Sequence, residues 1–537
     1  MNIGLYHGYN LTGSGSNEFT RYLARTFVDQ GHVVHIICRE YQPEKIDFVG
    51  QLWQWKSDGI CEISVSNQRF KDSCILHQIP YGDFYPVYIT GKKSSTVFKE
   101  FVDLTDEELN DFKKLNHKLL LEIFSKIKID ILHANHLVMQ PSLAIDACKA
   151  NNIPLIIYPH GSAIEYAVKK DPRYLKEAQR SIEECQGLII GNNEVRDRIC
   201  HLFPGLEEMI LSKTQIVGVG VDSSLFSPTA KSQRQNSITT FIDAENTGGS
   251  EGKSPQHVQL LHTELKKRNY QAIISNNDLY VQNNLDTNIA EKLLALDLSE
   301  PIIIFVGALT IGKGLQSLIT ALPVVYEKYP GAQLVVIGAG DFREYLEAYI
   351  YALANKDLEV VRYLSRGQDN ASENSVNVLW DDVITYLNQY SESEEYFSNA
   401  KRLLNQVVFL GRFNHQQLSH IFPCADLSVF PSVIPEAYPL VLMESLANGV
   451  LPMVSYFSGF KDAVDELEQF LDKELVSRLK IPMDREGRVK VMAENIIELF
   501  ALQKSKDFSS ELSKIAQENY DWNYRAKQMV TAYERVR

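Results

Sequence analysis

NIGLYHGYNLTGSGSNEFTRYLARTFVDQGHVVHIIC, residues 2–38, combines two kinds of apolar pattern. Residues 2–7 and 33–38 are short apolar runs of the kind that form buried strands, whereas residues 18–30 carry apolar side chains at helical spacing. A glycine-rich turn, Gly13–Ser16, separates the first run from the helical stretch. The sequence therefore predicts strand, glycine loop, helix and strand, which is the start of a parallel α/β sheet.

The same alternation continues along the chain and divides it into domains. We predict an α/β fold with two doubly wound, Rossmann-like domains facing a central cleft, the first over residues 1–228 and the second over residues 298–520. Residues 229–297 are polar and rich in glycine and serine, so we expect a partly flexible inter-domain insertion. A charged helical insertion, residues 343–405, interrupts the second domain. Residues 521–537 are predicted to form a helix that packs back toward the first domain.

Composition narrows the class of protein. The chain has 537 residues, 45% of them apolar, and its 54 basic and 68 acidic residues give a formal charge of -14, which disfavours binding to nucleic acid or anionic membranes. Seven cysteines without metal-ligand spacing are expected to be reduced thiols. Because no apolar run approaches the roughly 18 residues of a membrane span, we expect a cytoplasmic protein. A homo-oligomer stays open.

The strongest chemical motif is FPSVIPEAYPLVLMESLANG, residues 430–449. A buried strand runs into a turn, and Pro439 is expected in the first turn of a helix that Gly449 ends. The free N–H groups of such a turn can hold a diphosphate. Glu436 and Glu444 can face one cleft, where carboxylates accept hydrogen bonds from sugar and ribose hydroxyls. Taken alone, the pair is more typical of a first-turn capping acid, Glu436, and a solvated helix residue, Glu444, because two glutamates at any one spacing are common.

The motif resembles the E-x7-E signature of glycosyltransferase family 4, which contains retaining enzymes of the GT-B fold. GALTIGKG at residues 307–314 is similar to the family's G-R-L-x-x-x-K-G turn, and residues 336–341 are similar to its next strand end. Residues 220–228 resemble the family's G-V-D-x-x-x-F-x-P linker, and residues 13–34 its N-terminal glycine loop and helix. The resemblance implies a glycosyltransferase that uses a nucleotide sugar as a substrate and needs neither cofactor nor metal.

The resemblance also implies roles for single residues. Glu444 would bind the ribose of the donor, Glu436 the hydroxyls of the transferred sugar, and Lys313 the diphosphate. His160 follows the strand predicted at residues 155–158 and would hydrogen-bond the donor sugar near the reacting carbon, so His160, Glu436 and Lys313 are the catalytic candidates. The predicted donor-binding residues are Gly15, Gly307, Lys313, Arg412, Phe413, Glu436, Ala437, Tyr438, Pro439, Leu440, Val441 and Glu444.

One position departs from the family pattern. Where the family usually carries arginine beside the lysine, this chain has Ala308. Either the phosphates are neutralised less strongly, or another cation, such as Arg412 or a residue of an insertion, supplies the charge. Arg412 and Phe413 follow a predicted strand at residues 407–410, where the family holds the nucleobase.

The first domain holds the weaker candidates for acceptor binding. Asn17 and Glu18 begin the helix after the glycine loop, and His133 and His136 end a predicted strand. Helix capping and core packing are the alternative roles for these side chains. The histidines lack a nearby carboxylate triad, and their spacing fits a metal poorly, so we predict no metal site.

Taken together, the sequence predicts transfer of a sugar from a UDP- or GDP-type donor to a small-molecule or saccharide acceptor with retention of configuration. No residue is an evident covalent nucleophile, which favours front-face displacement, with Glu436 acting by position and charge. Three alternatives stay open: a phosphorylase-like enzyme, an epimerase-like enzyme that hydrolyses the donor, and an inactive sugar-binding or scaffold protein on the same fold.

Overall fold

The computed structural model describes residues 1–88, 98–245, 251–366 and 377–537. The chain forms two compact units, which we call unit 1 (Met1–Gly220 with Tyr520–Arg537) and unit 2 (Val221–Asn519). Each unit is built on a sheet of mainly parallel strands with crossover helices, which confirms the predicted α/β class with two Rossmann-like domains. Every helix within the described ranges is too short or too polar to span a lipid bilayer.

Unit 1 contains a nine-stranded sheet and a separate two-stranded pair. The strands are β1 Asn2–Tyr6, β2 Val33–Cys38, β3 Gln51–Trp55, β4 Cys61–Val65, β5 Cys74–Gln78, β6 Tyr85–Val87, β7 Phe98–Glu100, β8 Ile131–Asn135, β9 Leu155–Tyr158, β10 Gly187–Ile190 and β11 Thr214–Ile216. Their order in the large sheet is β11-β10-β9-β8-β1-β2-β5-β3-β4, and β4 pairs antiparallel with β3 whereas the other described pairs are parallel. The chain leaves β1 toward β2 and later returns to β8 on the other side, so the strand order reverses between β1 and β8.

The C-terminal helix of the chain belongs to unit 1. Residues 520–537 group with that unit. The ring of Trp522 stacks on that of Tyr22 with centroids 6.1 Å apart and meets the ring of Phe19 edge-on at 5.5 Å. Trp522 also lies against Gly220, where a Cβ atom would come within 2.5 Å of the indole. The helices of unit 1 are Gly15–Asp29, Asp106–Lys126, Gln140–Ala150, Gly161–Ala163, Pro172–Glu184, Asn193–Leu202, Glu207–Lys213 and Trp522–Val536, with a π-helical turn at Ile164–Val168.

Unit 2 contains a six-stranded parallel sheet. Its strands are β12 Ile302–Val306, β13 Gln333–Ile337, β14 Val407–Gly411, β15 Leu427–Phe430, β16 Leu451–Ser455 and β17 Lys480–Ile481. The sequences of β12 and β13 are almost continuously apolar because both faces of a parallel sheet are covered by helices. The order β14-β13-β12-β15-β16-β17 is that of doubly wound nucleotide-binding folds, and it reverses between β12 and β15.

Helices surround this sheet along the whole unit. The helices of unit 2 are Arg234–Glu245, Pro255–Lys266, Ala272–Ser275, Ile289–Leu294, Leu315–Lys328, Arg343–Ala354, Leu358–Ser365, Asp381–Tyr390, Glu394–Ala400, Leu403–Gln406, His415–Ile421, Leu440–Ala447, Ser458–Glu466, Lys473–Arg478, Arg488–Ser505 and Ser509–Asn519. The strand-helix alternation places the loops that follow β12, β14 and β15 at one edge of the sheet, the carboxyl ends of its strands.

Residues 229–297, which the sequence separated as an inter-domain insertion, group with unit 2 in the structure. The physical reason is a set of buried ion pairs between this segment and the sheet or its helices. Arg234 Nη2 lies 2.9 Å from Asp426 Oδ1, and Lys253 Nζ lies 2.7 Å from Glu347 Oε2, with all four side chains buried. Breaking either pair would leave a charge without its counter-charge in the interior, so the segment is anchored to unit 2.

Residues 343–405, predicted as a charged helical insertion, also contribute to the interior of unit 2. The Tyr396 hydroxyl donates a 2.8 Å hydrogen bond to Thr320 O, and the tyrosine ring is fully buried. The segment therefore packs directly on the helix that follows β12. The polar runs at residues 246–250 and 367–376 lie outside the described residues.

Candidate functional site

The turn between β15 and the helix Leu440–Ala447 lies at the point where the strand order of unit 2 reverses. Pro439 is the N-cap of this helix at φ -86° and ψ 105°, so the helix begins one residue later than the sequence predicted. The reason is that Pro439 has extended backbone torsions. Leu440 and Val441 supply the first helical N–H groups, and Gly449 at φ +71° follows the last turn.

Lys313 and Glu436 form the charged centre of this site. Lys313 Nζ lies 2.6 Å from Glu436 Oε1, and the two side chains are 30% and 21% exposed, so both remain open to a ligand. The Ser432 hydroxyl donates to the same carboxylate oxygen at 2.9 Å. The structure thus brings together two of the three predicted catalytic residues.

The two turns that carry these residues touch each other directly. Val433 N donates a 2.8 Å hydrogen bond to Gly312 O. Gly314 has φ +70°, and a Cβ atom there would lie 1.8 Å from Pro431 O. Only glycine fits this approach, which explains the glycine that follows Lys313 in the sequence.

Glu444 lies in the second turn of the helix and is only 5% exposed. Its Oε1 atom is 3.3 Å from Nε2 of His415, which begins the helix after β14. Sequence reasoning missed His415. The available signal was the capping box of Asn414 and Gln417 just after a strand, which fixes the helix start and hence the place of His415.

Arg412 and Phe413 follow β14 and contact residues of the 229–297 segment. Arg412 Nη1 donates to Asn283 Oδ1 at 3.2 Å, and the Phe413 ring stacks on Phe241 with centroids 5.2 Å apart. Arg412 follows β14 and Lys313 follows β12, and β13 lies between these two strands. The two strands are therefore about 10 Å apart. Arg412 therefore belongs to a different part of the strand-end edge from Lys313.

The loop after β12 packs closely against the end of β13. Gly307 N donates to Ile337 O at 3.0 Å, and Gly338, at φ +157°, would place a Cβ atom 1.9 Å from Gly307 O. Ala308 is exposed at this edge, so the position that carries arginine in the family contributes no charge here. Of the other predicted donor residues, Ala437 and Tyr438 lie in the partly exposed turn before Pro439.

Unit 1 has a different cluster at its own reversal of strand order. His7 is the first residue after β1 and His136 the first after β8, and their imidazole rings stack with centroids 5.6 Å apart. His160 follows β9, and its ring lies 4.8 Å from that of His136. His7 was missed in the sequence, although its place directly after the first apolar run was the available signal.

These imidazoles are held neutral by burial. His7 Nε2 is 2.8 Å from Asn17 Oδ1, and His160 Nε2 is 2.8 Å from Asn135 Oδ1. Burial lowers the pKa of His7 to about 4, and burial followed by neighbouring imidazoles holds the pKa of His136 and His160 well below the usual range. Neutral imidazoles offer one donor and one acceptor nitrogen each, which suits hydroxyl groups.

The remaining predicted residues of unit 1 have structural partners. His133 is fully buried, with Nδ1 2.6 Å from the Tyr533 hydroxyl, and burial lowers its pKa to about 3. Glu18 accepts from Gly13 N at 3.3 Å and pairs with Arg21, and Gly15 is the first residue of the helix that Ser14 caps. His133 thus lies in the core, away from the exposed loop that carries Gly15.

In residues 1–88, 98–245, 251–366 and 377–537, no group of three or more His, Cys, Asp or Glu side chains is arranged to hold a metal ion. The cysteines are free thiols, and Cys38, Cys74, Cys148, Cys185 and Cys424 are buried.

Parts of the chain match a family model and a protein of another organism. Residues 286–371 and 387–504, both in unit 2, match the family model described as glycosyl transferases group 1. An uncharacterised glycosyltransferase of Methanocaldococcus jannaschii is 30% identical over 165 residues, which is 31% of this chain and 30% of that protein. The match thus spans about a third of each protein.

Solved structures match over the whole chain at low identity. Sucrose-phosphate synthase of Thermosynechococcus elongatus aligns at 15% identity and TM-score 0.56 over 100% of this chain and 98% of its own. The fold is GT-B. HepE of Anabaena, solved with UDP and glucose, gives 14% identity and TM-score 0.53, with 99% of each chain covered. The catalytic domain of starch synthase IV of Arabidopsis thaliana, solved with ADP and acarbose, gives 13% identity and TM-score 0.54 over 99% of each chain.

Proposed function

We propose that the chain is a retaining glycosyltransferase of the family-4 type that moves a sugar from a UDP- or GDP-linked donor to an acceptor hydroxyl without a metal ion or other cofactor. The observation that carries the proposal is the 2.6 Å pair of Lys313 and Glu436 beside the start of the helix that holds the buried Glu444. A cation, two carboxylates and free helix N–H groups match the diphosphate and hydroxyl groups of a nucleotide sugar. The family match supports the same reading, because its first stretch includes Lys313 and its second includes Glu436 and Glu444.

The diphosphate is assigned to Lys313 and the first N–H groups of the helix Leu440–Ala447. A phosphate there competes with Glu436 for the Lys313 ammonium, so donor binding exchanges one ion pair for another. The ammonium and the positive end of the helix dipole then stabilise the charge that grows on the leaving diphosphate. Ala308 adds nothing to this charge, so the contribution of Lys313 is correspondingly large.

The nucleoside is assigned to Glu444 and to the residues after β14. A buried carboxylate held by His415 at 3.3 Å is a rigid acceptor for the two ribose hydroxyls. Arg412 and Phe413 then lie on the nucleobase side, because their strand is two positions away from the strand that Lys313 follows. Among the similar structures, HepE was solved with UDP and starch synthase IV with ADP, and we assign the choice of base to this side of the site.

Glu436 is assigned to hydroxyls of the transferred sugar and to the positive charge that develops at the anomeric carbon. The acceptor oxygen forms its bond to that carbon on the face that the diphosphate leaves, while the bond between carbon and phosphate oxygen breaks. The acceptor proton passes to the departing phosphate oxygen, so configuration is retained without a covalent enzyme intermediate. Carboxylate and ammonium side chains act here by position and charge.

For unit 1 we propose that His160 hydrogen-bonds a substrate hydroxyl and that Asn17 and His136, with the newly identified His7, bind the acceptor. Their neutral imidazoles favour an uncharged, hydroxyl-rich acceptor, a small molecule or a saccharide, because a neutral ring gains no ion pair with a phosphate. Glu18 is the weakest member because Arg21 already pairs with it.

Purified protein tests the proposal in two steps. Thermal unfolding with UDP, GDP and ADP, and with their sugar conjugates, identifies the donor, since a ligand at 100 times its dissociation constant adds about 2.7 kcal/mol of stability. Transfer to a panel of saccharides is then followed with and without a chelator. Transfer that survives the chelator and is lost in Glu436→Gln is the expected result.

Two outcomes favour other functions on the same fold. Steady release of free sugar that no acceptor changes would indicate an epimerase-like hydrolase. A protein that neither binds nor turns over any nucleotide sugar would indicate an inactive binding or scaffold protein and would overturn the proposal.

A further inference from the structure

Asp382 is a buried acid from the 343–405 segment that none of the sequence motifs includes. It is the second residue of the helix Asp381–Tyr390, and its side chain is 7% exposed. Its Oδ2 atom accepts a 2.6 Å hydrogen bond from the Ser317 hydroxyl and lies 3.2 Å from Nε of Arg488. Asp382 falls between residues 371 and 387, outside both stretches matched by the family model.

Arg488, the partner of Asp382, is 1% exposed at the start of the helix Arg488–Ser505. Its Nη2 atom donates to Pro431 O at 2.5 Å and to the Ser455 hydroxyl at 3.0 Å. Pro431 begins the turn that carries Glu436. The guanidinium therefore fixes the base of the Glu436 turn from behind, with Asp382 as its counter-charge.

Ser317, the other partner of Asp382, lies behind the Lys313 turn. Ser317 N donates to Gly314 O at 2.9 Å, so its position follows the end of that turn. The neighbouring Gln316 uses its amide nitrogen to join Ile311 O, at 3.1 Å, to Leu379 O of the 343–405 segment, at 2.9 Å. The same segment thus braces the Lys313 turn at two places.

We propose that Asp382 and Arg488 are positioning residues, which set the relative placement of the Lys313 turn and the Glu436 turn and thereby the geometry of sugar transfer. The inference rests on the proposed function of the Lys313–Glu436 pair. It makes the 343–405 segment a working part of the active site, since one carboxylate of that segment accepts a hydrogen bond from Ser317 behind the Lys313 turn and forms an ion pair with Arg488 behind the Glu436 turn. Neither residue touches the substrate.

The test uses Asp382→Asn, which keeps an acceptor for Ser317 and removes the counter-charge of Arg488. The expected result is a fall in kcat of about tenfold or more, or ~1.4 kcal/mol in activation free energy, with a smaller change in the donor KM. The matched control is Asp426→Asn. Asp426 is also a buried partner of an arginine, but it lies at the amino ends of β12 and β15, where its carboxylate accepts from Ile302 N at 2.9 Å.

A positioning role differs from a merely structural one in two readouts. Asp426→Asn is expected to lower the free energy of unfolding as much as Asp382→Asn but to keep kcat within about twofold. In the background of Lys313→Ala, adding Asp382→Asn is expected to lower kcat by a smaller factor than it does in the wild type, because only the Glu436 turn is then left to be positioned. Equal losses of kcat in the two asparagine variants, or fully multiplicative losses in the double variant, would overturn the inference.

If Asp382→Asn does not fold, Ser317→Ala and Arg488→Lys take its place. Ser317→Ala removes the hydrogen bond to Asp382, and Arg488→Lys keeps the positive charge but loses the forked guanidinium that bonds several acceptors at once. Each is expected to lower kcat more than it raises the donor KM, and wild-type kcat in both would overturn the inference. Failure of the proposed function is distinguishable, because wild-type protein would then show no turnover of any nucleotide sugar.

Discussion

The two units have similar parallel sheets, but the loops at the reversal of strand order carry charged side chains in unit 2 and neutral imidazoles in unit 1. In unit 2 the loops at the reversal of strand order carry the exposed ion pair Lys313–Glu436 and the carboxylate Glu444. In unit 1 the corresponding loops carry His7 and His136, whose pKa values are lowered by burial so that both are neutral near pH 7. At the reversal of strand order, unit 2 therefore carries an exposed ion pair and unit 1 carries neutral imidazoles.

Under the proposed function, this difference assigns a different binding role to each unit. A diphosphate needs a cation and a helix N-terminus, which unit 2 supplies, whereas hydroxyl groups need neutral donors and acceptors, which unit 1 supplies. If this division is correct, loss of charge in unit 2 affects the chemical step most. Changes in unit 1 then alter the choice of acceptor and the pH dependence of stability.

The largest expected effect follows removal of the negative charge in unit 2. Glu436→Gln is expected to lower kcat by about 10²- to 10³-fold, because the charge that stabilises the transition state is lost. His160→Asn in unit 1 is expected to cost less, roughly tenfold, because it weakens one hydrogen bond to a substrate hydroxyl. Steady-state kinetics with the identified donor measures both, with the exposed Glu494→Gln as control. A greater loss in His160→Asn would break the comparison.

The next effect concerns donor binding. Glu444→Gln is expected to weaken nucleoside diphosphate binding about 10- to 100-fold, because a charged acceptor for the ribose hydroxyls becomes a neutral one. Titration calorimetry checks this, and a 2′-deoxynucleotide provides the internal control. Wild type and Glu444→Gln should bind the deoxy analogue with closer affinities. An unchanged gap between them would place the ribose elsewhere.

The pH dependence of stability probes the buried imidazole of His7 in unit 1. The pKa of His7 is lower in the folded protein, at about 4, than in the unfolded chain, so the unfolded chain binds more protons between about pH 4 and 6.5. Stability therefore rises with pH across this window and is lost as pH falls. His7→Asn is expected to flatten the slope by up to about 1.4 kcal/mol per pH unit. Urea unfolding at several pH values measures it, and an unchanged slope would contradict the account.

The smallest effect tests the core position of His133. Tyr533→Phe removes the hydroxyl 2.6 Å from His133 Nδ1 and is expected to cost about 1–2 kcal/mol of unfolding free energy with kcat unchanged. Tyr524→Phe, at an exposed position of the same helix, is the matched control and should change stability by less than about 0.5 kcal/mol. A loss of activity without a loss of stability in Tyr533→Phe would instead give His133 a place in the site.

Turns and strands were predictable from the sequence where the backbone conformation allows only certain residue types. Gly314 needs a positive φ and a close approach to Pro431 O, and the apolar β12 run that precedes its turn marks a buried parallel strand. Periodicity and turn residues therefore located the Lys313 and Glu436 turns. The start of the helix was predicted one residue early because Pro439 suits both the N-cap and the first helical position.

Long-range pairing was not predictable in this way. Arg234 and Asp426 are 192 residues apart, and nothing in the polar composition of the 229–297 segment indicates that its arginine is buried against a strand. The same holds for Asp382, which reads as one acid among many in a charged stretch until the fold brings it to Ser317 and Arg488. Burial of a charge depends on tertiary partners, which periodicity does not encode.

Hydrogen exchange of the whole chain with and without the donor tests the central claim most directly, because it locates the bound nucleotide sugar without assuming a residue. The account predicts slower exchange in peptides that cover residues 307–314 and 431–446, and no change around Arg234 and Asp426 at the other end of the strands. Slower exchange at that other end alone, or no change at a donor concentration that saturates turnover, would contradict it.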